Sequence, residues 1–548
     1  MLISNSDYKT LTRESRLFVQ KTARSIVQIQ QGVNNLADII VFLEVLGYNK
    51  ESVEKYGFKN LYELATHVYD FIDSYYDKEQ DKQSLQMRLT PIPTQRQRLA
   101  EGLGMIFPWL GSLLLLFLTG VSLWMALSLP KEITTLFVGG VFLGLLIMEG
   151  PLQAFHRLFT FHYEQGNLGE VKRILKRCYL TVLIILSAVT LVVIGVATLL
   201  NFPYYLAGVT IVSMVTVSLH RASYMIIFAL KKIKHLITAY TSAFLTITAV
   251  YLLGDVIMPS DSTRYFVALG AAFVVLSIFS IIHHHKMMTK KSLDTGAGNK
   301  PHFFNPGTVT NKTIVSRFPI QLWETLPHFL FGTMYFMMLF ADRVLSWVYN
   351  PDILSDESKF IEFNSAYHTG VDLGLLVILA SAMIQYVMMA PIHIRINNII
   401  LNLKIIEAGK IDDFIREQHK RLVLYSLISS VATAFLLAFF APQITEHLGG
   451  TEKIVMLLRL ASISNVFLSL FIANNMFLFL LNKTKQLVYL VSISAIIVIV
   501  GGLILGKSGF ENIVVAYLIS AIFSFAVSTI YVKKIMKNAG SIFFARYV

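Results

Sequence analysis

Apolar residues run in long stretches along most of the chain, and short polar segments separate them. A helix needs roughly 20 apolar residues to cross the hydrocarbon core of a bilayer, and from residue 105 onward twelve stretches approach or exceed that length. Their approximate limits are 105–129, 133–159, 178–200, 203–230, 235–258, 263–285, 319–349, 368–394, 421–442, 454–481, 486–506 and 510–532. The pattern therefore predicts an all-α polytopic membrane protein with about 12 transmembrane helices.

The segment 1–100 has a different pattern, in which charged residues alternate with apolar residues at helical spacing. The spacing predicts one or two amphipathic helices ending near Gly47. A further helix is predicted to begin at Asn60, because Glu63 three residues later completes a capping-box pattern. The stretch "LTPIPTQ" (89–95) is typical of a linker. We expect a small helical cytoplasmic domain that serves in docking.

The second half of the apolar region repeats features of the first. The second stretch ends through "GPLQ" (150–153), followed by "EQGNLGEVKRILKR" (164–177). The eighth ends through "APIH" (390–393), followed by "EAGKIDDFIREQHK" (407–420). Each copy has a proline, a Glu-x-Gly element and an amphipathic segment in the same order.

This repetition predicts two pseudo-symmetric six-helix bundles, 101–290 and 319–540, joined by a polar cytoplasmic linker, 291–318. Proline removes a backbone donor and bends or breaks a helix. Paired bundles with broken helices are typical of transporters that alternate between two open states.

Composition supports lipid as the surrounding medium. The chain is 55% hydrophobic and 15% charged, with a mean hydropathy of +0.60, whereas soluble domains carry about 25% charged residues. The single cysteine, Cys178, excludes an intrachain disulfide. The sequence has no CxxC or Cys/His metal spacing, so we expect no metal, no cofactor and no catalytic residue.

The net charge of +13 is explained by the membrane rather than by nucleic acid. With the amino terminus in the cytoplasm, the loops after even-numbered stretches are cytoplasmic, and they hold most of the lysine and arginine residues. The outer loops hold Lys131, Arg264, Lys359, Lys453 and Lys507. This asymmetry follows the positive-inside rule. It predicts that both termini lie in the cytoplasm.

Glu149 lies within an apolar stretch, directly before Gly150 and Pro151. A carboxylate at membrane depth costs several kcal/mol unless it has a partner or faces water. We expect Glu149 to line the central cleft at a hinge. The alternative is a packing kink in which the carboxylate pairs with a neighbour.

Arg221, beside His220, and Arg459 also lie within apolar stretches. A buried arginine needs a carboxylate or an anionic ligand, and either Glu149 or Glu324 suits Arg221. The candidates for the substrate pathway are Glu149, Pro151, Gln153, His156, Arg157, His220, Arg221, Glu324 and Arg459.

Asp342 and Arg343 lie near the predicted outer end of the seventh helix, and Asp372 lies near the outer start of the eighth. These three residues are candidates for an outer gate formed by ion pairs. The alternative is ordinary capping at the membrane interface.

Two short motifs are weaker. "GGLILGKS" (501–508) matches the P-loop pattern, but a P-loop follows a strand, and this stretch ends an apolar helix. "GVFLG" (140–144) matches the GxxxG pattern of close helix packing.

Aromatic residues in the first, second, fourth, seventh and eighth helices are candidates for stacking on sugars, although lipid-facing belts use the same residues. They are Trp109, Phe155, Phe159, Phe161, Tyr204, Tyr205, Tyr224, Phe329, Tyr335 and Tyr386.

Two stretches resemble one known family. "MEGPLQAFHRLFTFHYEQGNLGEV" (148–171) resembles the second-helix exit of the Pel exopolysaccharide transporter family, and "FGTMYFMMLFADRVLSW" (331–347) resembles its seventh helix. The family belongs to the multidrug/oligosaccharidyl-lipid/polysaccharide (MOP) flippase superfamily, whose fold has two bundles of helices that form a V-shaped cavity. The resemblance implies export of a nascent polysaccharide rich in N-acetylhexosamine across the bacterial inner membrane. It also implies a cytoplasmic glycosyltransferase and cyclic-di-GMP-responsive membrane subunits as partners.

Other functions remain open. A MATE-like, ion-coupled antiporter of small molecules would share the fold, but it would need a compact acidic site within one bundle. A non-transporting scaffold of a polysaccharide synthase complex would suit the helical segment 1–100. A membrane enzyme would need a catalytic outer loop, and the segment 350–367 has no Ser/His or His/Arg set.

Overall fold

The structure is a computed structural model. It describes residues 11–29, 36–45, 48, 50–75, 93–124, 126, 128–164, 168–229, 232–258, 260–289, 318–351, 361–402, 408–447 and 451–544. Nearly all of linker 291–318 and part of the predicted linker 89–95 lie outside the described residues. The chain divides into two compact units: the first holds the described residues of 1–92 and 394–402, and the second holds the rest.

Four helices form the described part of the first unit between residues 11 and 75. They are α1 (Arg13–Ile29), α2 (Leu36–Val45), α3 (Lys50–Glu54) and α4 (Leu61–Tyr75). Val19, Leu43 and Val68 are among the buried residues of its core. The predicted cap at Asn60 is confirmed, because its side chain accepts a hydrogen bond from the backbone N–H of Glu63 at 2.8 Å.

The remaining helices cover the two predicted bundles. The first half contains α5 (Gln95–Thr119), α6 (Lys131–Glu164), α7 (Leu168–Leu199), α8 (Tyr204–Ala229), α9 (Ile233–Leu253) and α10 (Asp261–Thr289). The second contains α11 (Phe318–Val348), α12 (Ser365–Gly374), α13 (Leu376–Asn402), α14 (Ala408–His447), α15 (Glu452–Leu480), α16 (Thr484–Leu505), α17 (Ile513–Ile535) and α18 (Ala539–Phe544). Short 3₁₀ turns lie at Gly254–Val256, Gly506–Ser508, Phe510–Asn512 and Met536–Asn538.

Within the described residues, twelve helical segments are long and apolar enough to cross a membrane. The predicted all-α polytopic fold class is therefore confirmed. The outer surface has the expected character: on α7, Leu183 is 62% exposed and Leu191 is 69% exposed. An exposed apolar surface of this extent is typical of a protein that is surrounded by lipid.

The first of these helices begins ten residues earlier than hydropathy predicts. The side chain of Thr94 accepts a hydrogen bond from the backbone N–H of Gln97 at 3.3 Å, which caps the helix before its apolar part. The helix ends at Gly120, whose φ of 73° suits glycine. The predicted stretch 105–129 therefore contains only part of the helix.

The prediction that Pro151 breaks its helix is wrong. Helix α6 runs from Lys131 to Glu164 with Pro151 inside it, and α13 likewise continues through Pro391. In an apolar medium every broken backbone hydrogen bond is costly, so a helix keeps the bonds that the proline does not remove.

The two halves meet along helices α6 and α11. A Cβ added at Gly332 would lie 2.8 Å from the carbonyl oxygen of Glu149, and one added at Gly150 would lie 2.8 Å from that of Phe329. The ring of Phe142 stacks on that of Phe340 with 4.6 Å between centroids. Glycine is required on both helices because their backbones approach so closely.

Helices α5 and α13 also make contact between the two halves. Near the start of α5, Arg98 donates to the carbonyl oxygen of Val387 at 3.3 Å. Tyr386 donates to the carboxylate of Glu101 at 3.4 Å. These contacts join the two halves near the first turns of α5.

Both short motifs act in packing. A Cβ at Gly140 would lie 2.4 Å from the carbonyl oxygen of Thr210, and one at Gly144 would lie 2.9 Å from that of Met214, so the GxxxG pattern joins α6 to α8. The P-loop-like stretch forms the end of α16 and a 3₁₀ turn. It has no preceding strand, which a P-loop requires.

Candidate functional site

Glu149 forms an ion pair with Arg221 beside the contact between the two halves. Gln153, one helical turn along α6, donates a hydrogen bond to the other carboxylate oxygen of Glu149 at 2.9 Å. Close packing of α6 on α8 brings the two charges together. Glu149 is 5% exposed, and the Arg221 side chain is 18% exposed. Glu149 therefore has the partner that a carboxylate within a membrane helix needs.

The second half contributes two tyrosines to the same region. Tyr335 of α11 lies near Glu149, and Tyr386 of α13 lies near Tyr224 and donates to Glu101. Tyr224 lies one turn beyond Arg221 and donates to the carbonyl oxygen of Met105 at 3.3 Å. The Glu149–Arg221 pair is therefore surrounded by groups from both halves, and we call these residues the central site.

His220 does not contact the ion pair through a hydrogen bond but faces the interior of the first half. Its ring forms a short hydrogen bond with the hydroxyl of Tyr240 on α9. The ring centroid of Trp124, in the loop after α5, lies 5.7 Å from that of His220. Neither Tyr240 nor Trp124 has a sequence signal that predicts this contact, because each comes from a separate segment.

The remaining pathway candidates are only partly brought together. Pro151 is buried, and His156 and Arg157 are half-buried farther along α6. Glu324 is exposed on α11, away from Arg221. Arg459 is also exposed, and its Nε donates to the carbonyl oxygen of Ala438 at 3.2 Å. The expectation that Arg459 is buried against a carboxylate is therefore wrong, because its position on α15 faces outward.

The three outer-gate candidates form a second cluster, entirely within the second half. Arg343 bonds Asp342 at 3.0 Å and Asp372 at 2.7 Å. Arg343 and Asp342 are both 0% exposed. Capping at the membrane interface does not describe these two residues, because interfacial caps are solvated. We call this set, with the partners described next, the outer cluster.

Three residues that the sequence did not single out complete the outer cluster. Tyr367 donates to Asp342 at 2.9 Å, and His368 Nδ1 lies 2.9 Å from Asp372. Trp347 donates through its indole N–H to His368 at 2.9 Å. His368 and Asp372 are four residues apart on a helix, so their spacing gave a detectable signal.

The two sites differ in charge balance. The central site pairs one carboxylate with one guanidinium, whereas the outer cluster sets two carboxylates against one guanidinium and a histidine. Among the described residues, no group of three or more His, Cys, Asp or Glu side chains is placed to hold a metal ion. The central site suits a polar, uncharged ligand, and the outer cluster suits the exchange of a cation or proton.

No family model and no curated protein matches the sequence. Solved structures do match. An outward-facing multidrug resistance MATE family transporter of the MOP superfamily has a TM-score of 0.57 at 10% identity, covering 83% of this chain and 98% of that chain. A MATE crystal structure in the straight conformation has a TM-score of 0.55 at 12% identity, covering 83% and 99%. The chain therefore has the fold of these MATE transporters, which is that of a multi-pass membrane protein.

Proposed function

We propose that this protein is an inner-membrane exporter that moves a nascent exopolysaccharide across the cytoplasmic membrane. It does so by alternating access or as the membrane component of a synthase complex. The resemblance of segments 148–171 and 331–347 to the Pel exopolysaccharide transporter family supplies the substrate, an N-acetylhexosamine-rich polymer. The MATE-type fold supports transport in general.

One observation carries the proposal: a charged pair, Glu149 with Arg221, lies at membrane depth where the two halves meet. Charged residues within membrane helices are rare, and even when they are paired, as these two are, they commonly mark a substrate or ion pathway. The glycine crossing of Gly150 and Gly332 holds the pair beside the second half. A change in the angle between the halves would therefore alter the surroundings of the pair.

The partners and orientation are part of the same proposal. A cytoplasmic glycosyltransferase would deliver the growing polymer, and cyclic-di-GMP-responsive subunits would control its synthesis. Both termini lie in the cytoplasm, where the helices of the first unit offer a surface for these partners.

The test is polymer export from cells that express Glu149→Gln at wild-type membrane levels. Export should fall by about tenfold, because a charge-assisted hydrogen bond contributes roughly 1.5–3 kcal/mol. Glu324→Gln is the matched control, since that carboxylate is exposed and should leave export unchanged. The double exchange Glu149→Arg with Arg221→Glu should restore part of the activity. Unchanged export in Glu149→Gln would remove the central site from the mechanism.

A MATE-like, ion-coupled antiporter remains the second candidate, and the outer cluster is the observation that favours it. The cluster supplies the compact acidic site within one half that an antiporter requires. Asp372→Asn would then abolish drug efflux driven by a cation gradient in proteoliposomes. An exporter would show no such efflux in the unmodified protein.

A further inference from the structure

A continuous series of aromatic rings lies beside the central site in the first half. Adjacent rings are separated by 5.3, 5.7, 6.5, 5.9 and 6.0 Å between centroids. In order, the rings belong to Trp109, Trp124, His220, Tyr224, Phe228 and His156, which we call the aromatic ladder. They come from α5, the following loop, α8 and α6, so the fold assembles the ladder from separate segments.

The ladder differs from a lipid-facing aromatic belt in its exposure. Trp323 is 70% exposed, and Tyr489 is 72% exposed, as belt residues are. The ladder rings are half-buried, apart from His220, which is buried. Each half-buried ring keeps part of its surface accessible, and that part can contact a ligand.

Two hydrogen-bond donors beside the ladder have no partner. The indole N–H of Trp124 and the Nε–H of Arg221 are buried, and no described residue accepts a hydrogen bond from either. The Arg221 guanidinium also lies 5.8 Å from the centroid of the Tyr224 ring. Buried donors are normally satisfied, so a ligand with acceptor oxygens would complete this surface.

Flat apolar faces next to unpaired donors suit a pyranose ring, which has a C–H face and oxygen acceptors at its edge. The charge of the site indicates which kinds of pyranose can bind. Because Glu149 already neutralises Arg221, the site has no spare positive charge for a uronic acid. An uncharged N-acetylated sugar fits instead, since its amide carbonyl is a strong acceptor.

We infer that the aromatic ladder is a glycan-binding track for uncharged, N-acetylated pyranose units. Trp109, Trp124 and Tyr224 stack on the sugar rings, and the free N–H groups of Trp124 and Arg221 bind their acceptor oxygens. The inference rests on the proposed export function for its substrate class. It adds the residues that bind the polymer and the charge of the repeating unit.

The test is binding of the uncharged tetramer of N-acetylglucosamine to the purified full-length protein in detergent micelles, measured by calorimetry. Trp109→Leu and Tyr224→Leu should each raise the Kd by about tenfold, as expected when an aromatic anchor is removed from a binding site. Trp109→Phe keeps a stacking face and should bind within about threefold of the wild type. The matched control is Trp323→Leu, which removes a lipid-facing tryptophan and should not change the Kd.

Several results would overturn the inference. One such result is a wild-type protein that does not bind the tetramer. Another is a Trp323→Leu variant that binds the tetramer as weakly as Trp109→Leu does. A tetramer of galacturonic acid that bound more tightly than the uncharged tetramer would refute the charge selectivity. Each variant is compared only if its gel-filtration profile matches that of the wild type, and Tyr224→Leu provides the test if Trp109→Leu does not fold.

The two proposals fail in different ways. If the tetramer binds through the aromatic ladder but Glu149→Gln leaves export unchanged, the glycan track is supported and the role of the central site in export is contradicted. If export depends on Glu149 but no variant of the aromatic ladder alters tetramer binding, the proposed export function is supported and the glycan track is contradicted.

Discussion

The central site and the outer cluster each pair an arginine with a carboxylate in the membrane-spanning helices. The two arginines differ in their exposure and in their neighbours. Arg221 is partly exposed and is flanked by groups from both halves. Arg343 is 0% exposed, and all its described partners belong to the second half. Each ion pair is therefore made within one half and borders the other, since Gly332 of α11 packs on the backbone of Glu149 and Phe142 of α6 stacks on His368. The two pairs differ in how completely the arginine is buried.

This difference separates two roles for a buried charge. A partly exposed pair at a moving boundary can change partners when the halves rotate, and its energy then differs between the two states. A pair whose arginine is fully buried moves with its half as a rigid unit. We therefore expect substitutions in the central site to affect transport more than stability, and those in the outer cluster to affect stability first.

The largest effect should come from Arg343→Met. Removing the guanidinium leaves Asp342 buried without its cation, and breaking a buried pair in this way costs about 3–5 kcal/mol. The measurement is unfolding by SDS in mixed micelles, followed by circular dichroism. Arg459→Met is the control, because Arg459 is exposed. Equal stability of the two variants would contradict the assignment of Arg343 to a buried network.

Arg221→Met should give a smaller loss of stability and a larger loss of export. Gln153 still donates to Glu149, so we expect about 1–3 kcal/mol, the cost of one unsatisfied buried group. The same SDS titration gives the stability, and the polymer released from cells gives the export. A variant that exports normally although its unfolding free energy has dropped would place this arginine among structural residues.

Gly332→Val tests the contact that brings the halves together beside the central site. The new side chain would meet the carbonyl oxygen of Glu149 at 2.8 Å and Cγ of Gln153 at 2.9 Å. Overpacking of this kind costs about 1–3 kcal/mol, and it should also reduce export. Gly195→Val is the control, since a Cβ at Gly195 meets nothing within 4 Å. If both valine variants export equally well, the crossing does not position the site.

Much of the architecture could be predicted from the sequence, because hydropathy over 20 residues depends on few assumptions about packing. The count of membrane helices and the class of fold follow directly from it. The start of α5 did not follow, because its first turns are polar and the signal is the cap at Thr94. The continuous helix at Pro151 did not follow either, because the rule that proline breaks helices is strongest where water can replace the lost bonds.

The candidate site could be predicted only in part. Glu149 and Arg221 were recognisable as charges in apolar stretches, but they are far apart in sequence, and their pairing depends on how α6 packs on α8. The partner Tyr240 gave no local signal. His368 did, through its spacing from Asp372, because residues four apart share a helix face.

Tyr367→Phe should have the smallest effect of these substitutions. It tests whether the outer cluster is only structural or takes part in transport, as the central site is proposed to do. The change removes one hydroxyl and keeps the buried ring, so it deletes the 2.9 Å hydrogen bond to Asp342 and little else. A hydrogen bond to a charged group contributes about 1.5–3 kcal/mol, and Arg343 remains to compensate the carboxylate, so we expect a loss near the lower value. Tyr265→Phe is a matched control, because that tyrosine is equally buried but donates to a neutral carbonyl, that of Ser122, at 3.2 Å. If the outer cluster is structural, Tyr367→Phe lowers the unfolding free energy more than the control and leaves export unchanged. A loss of export at full stability would instead make the outer cluster a moving part of the transport cycle, as the central site is proposed to be.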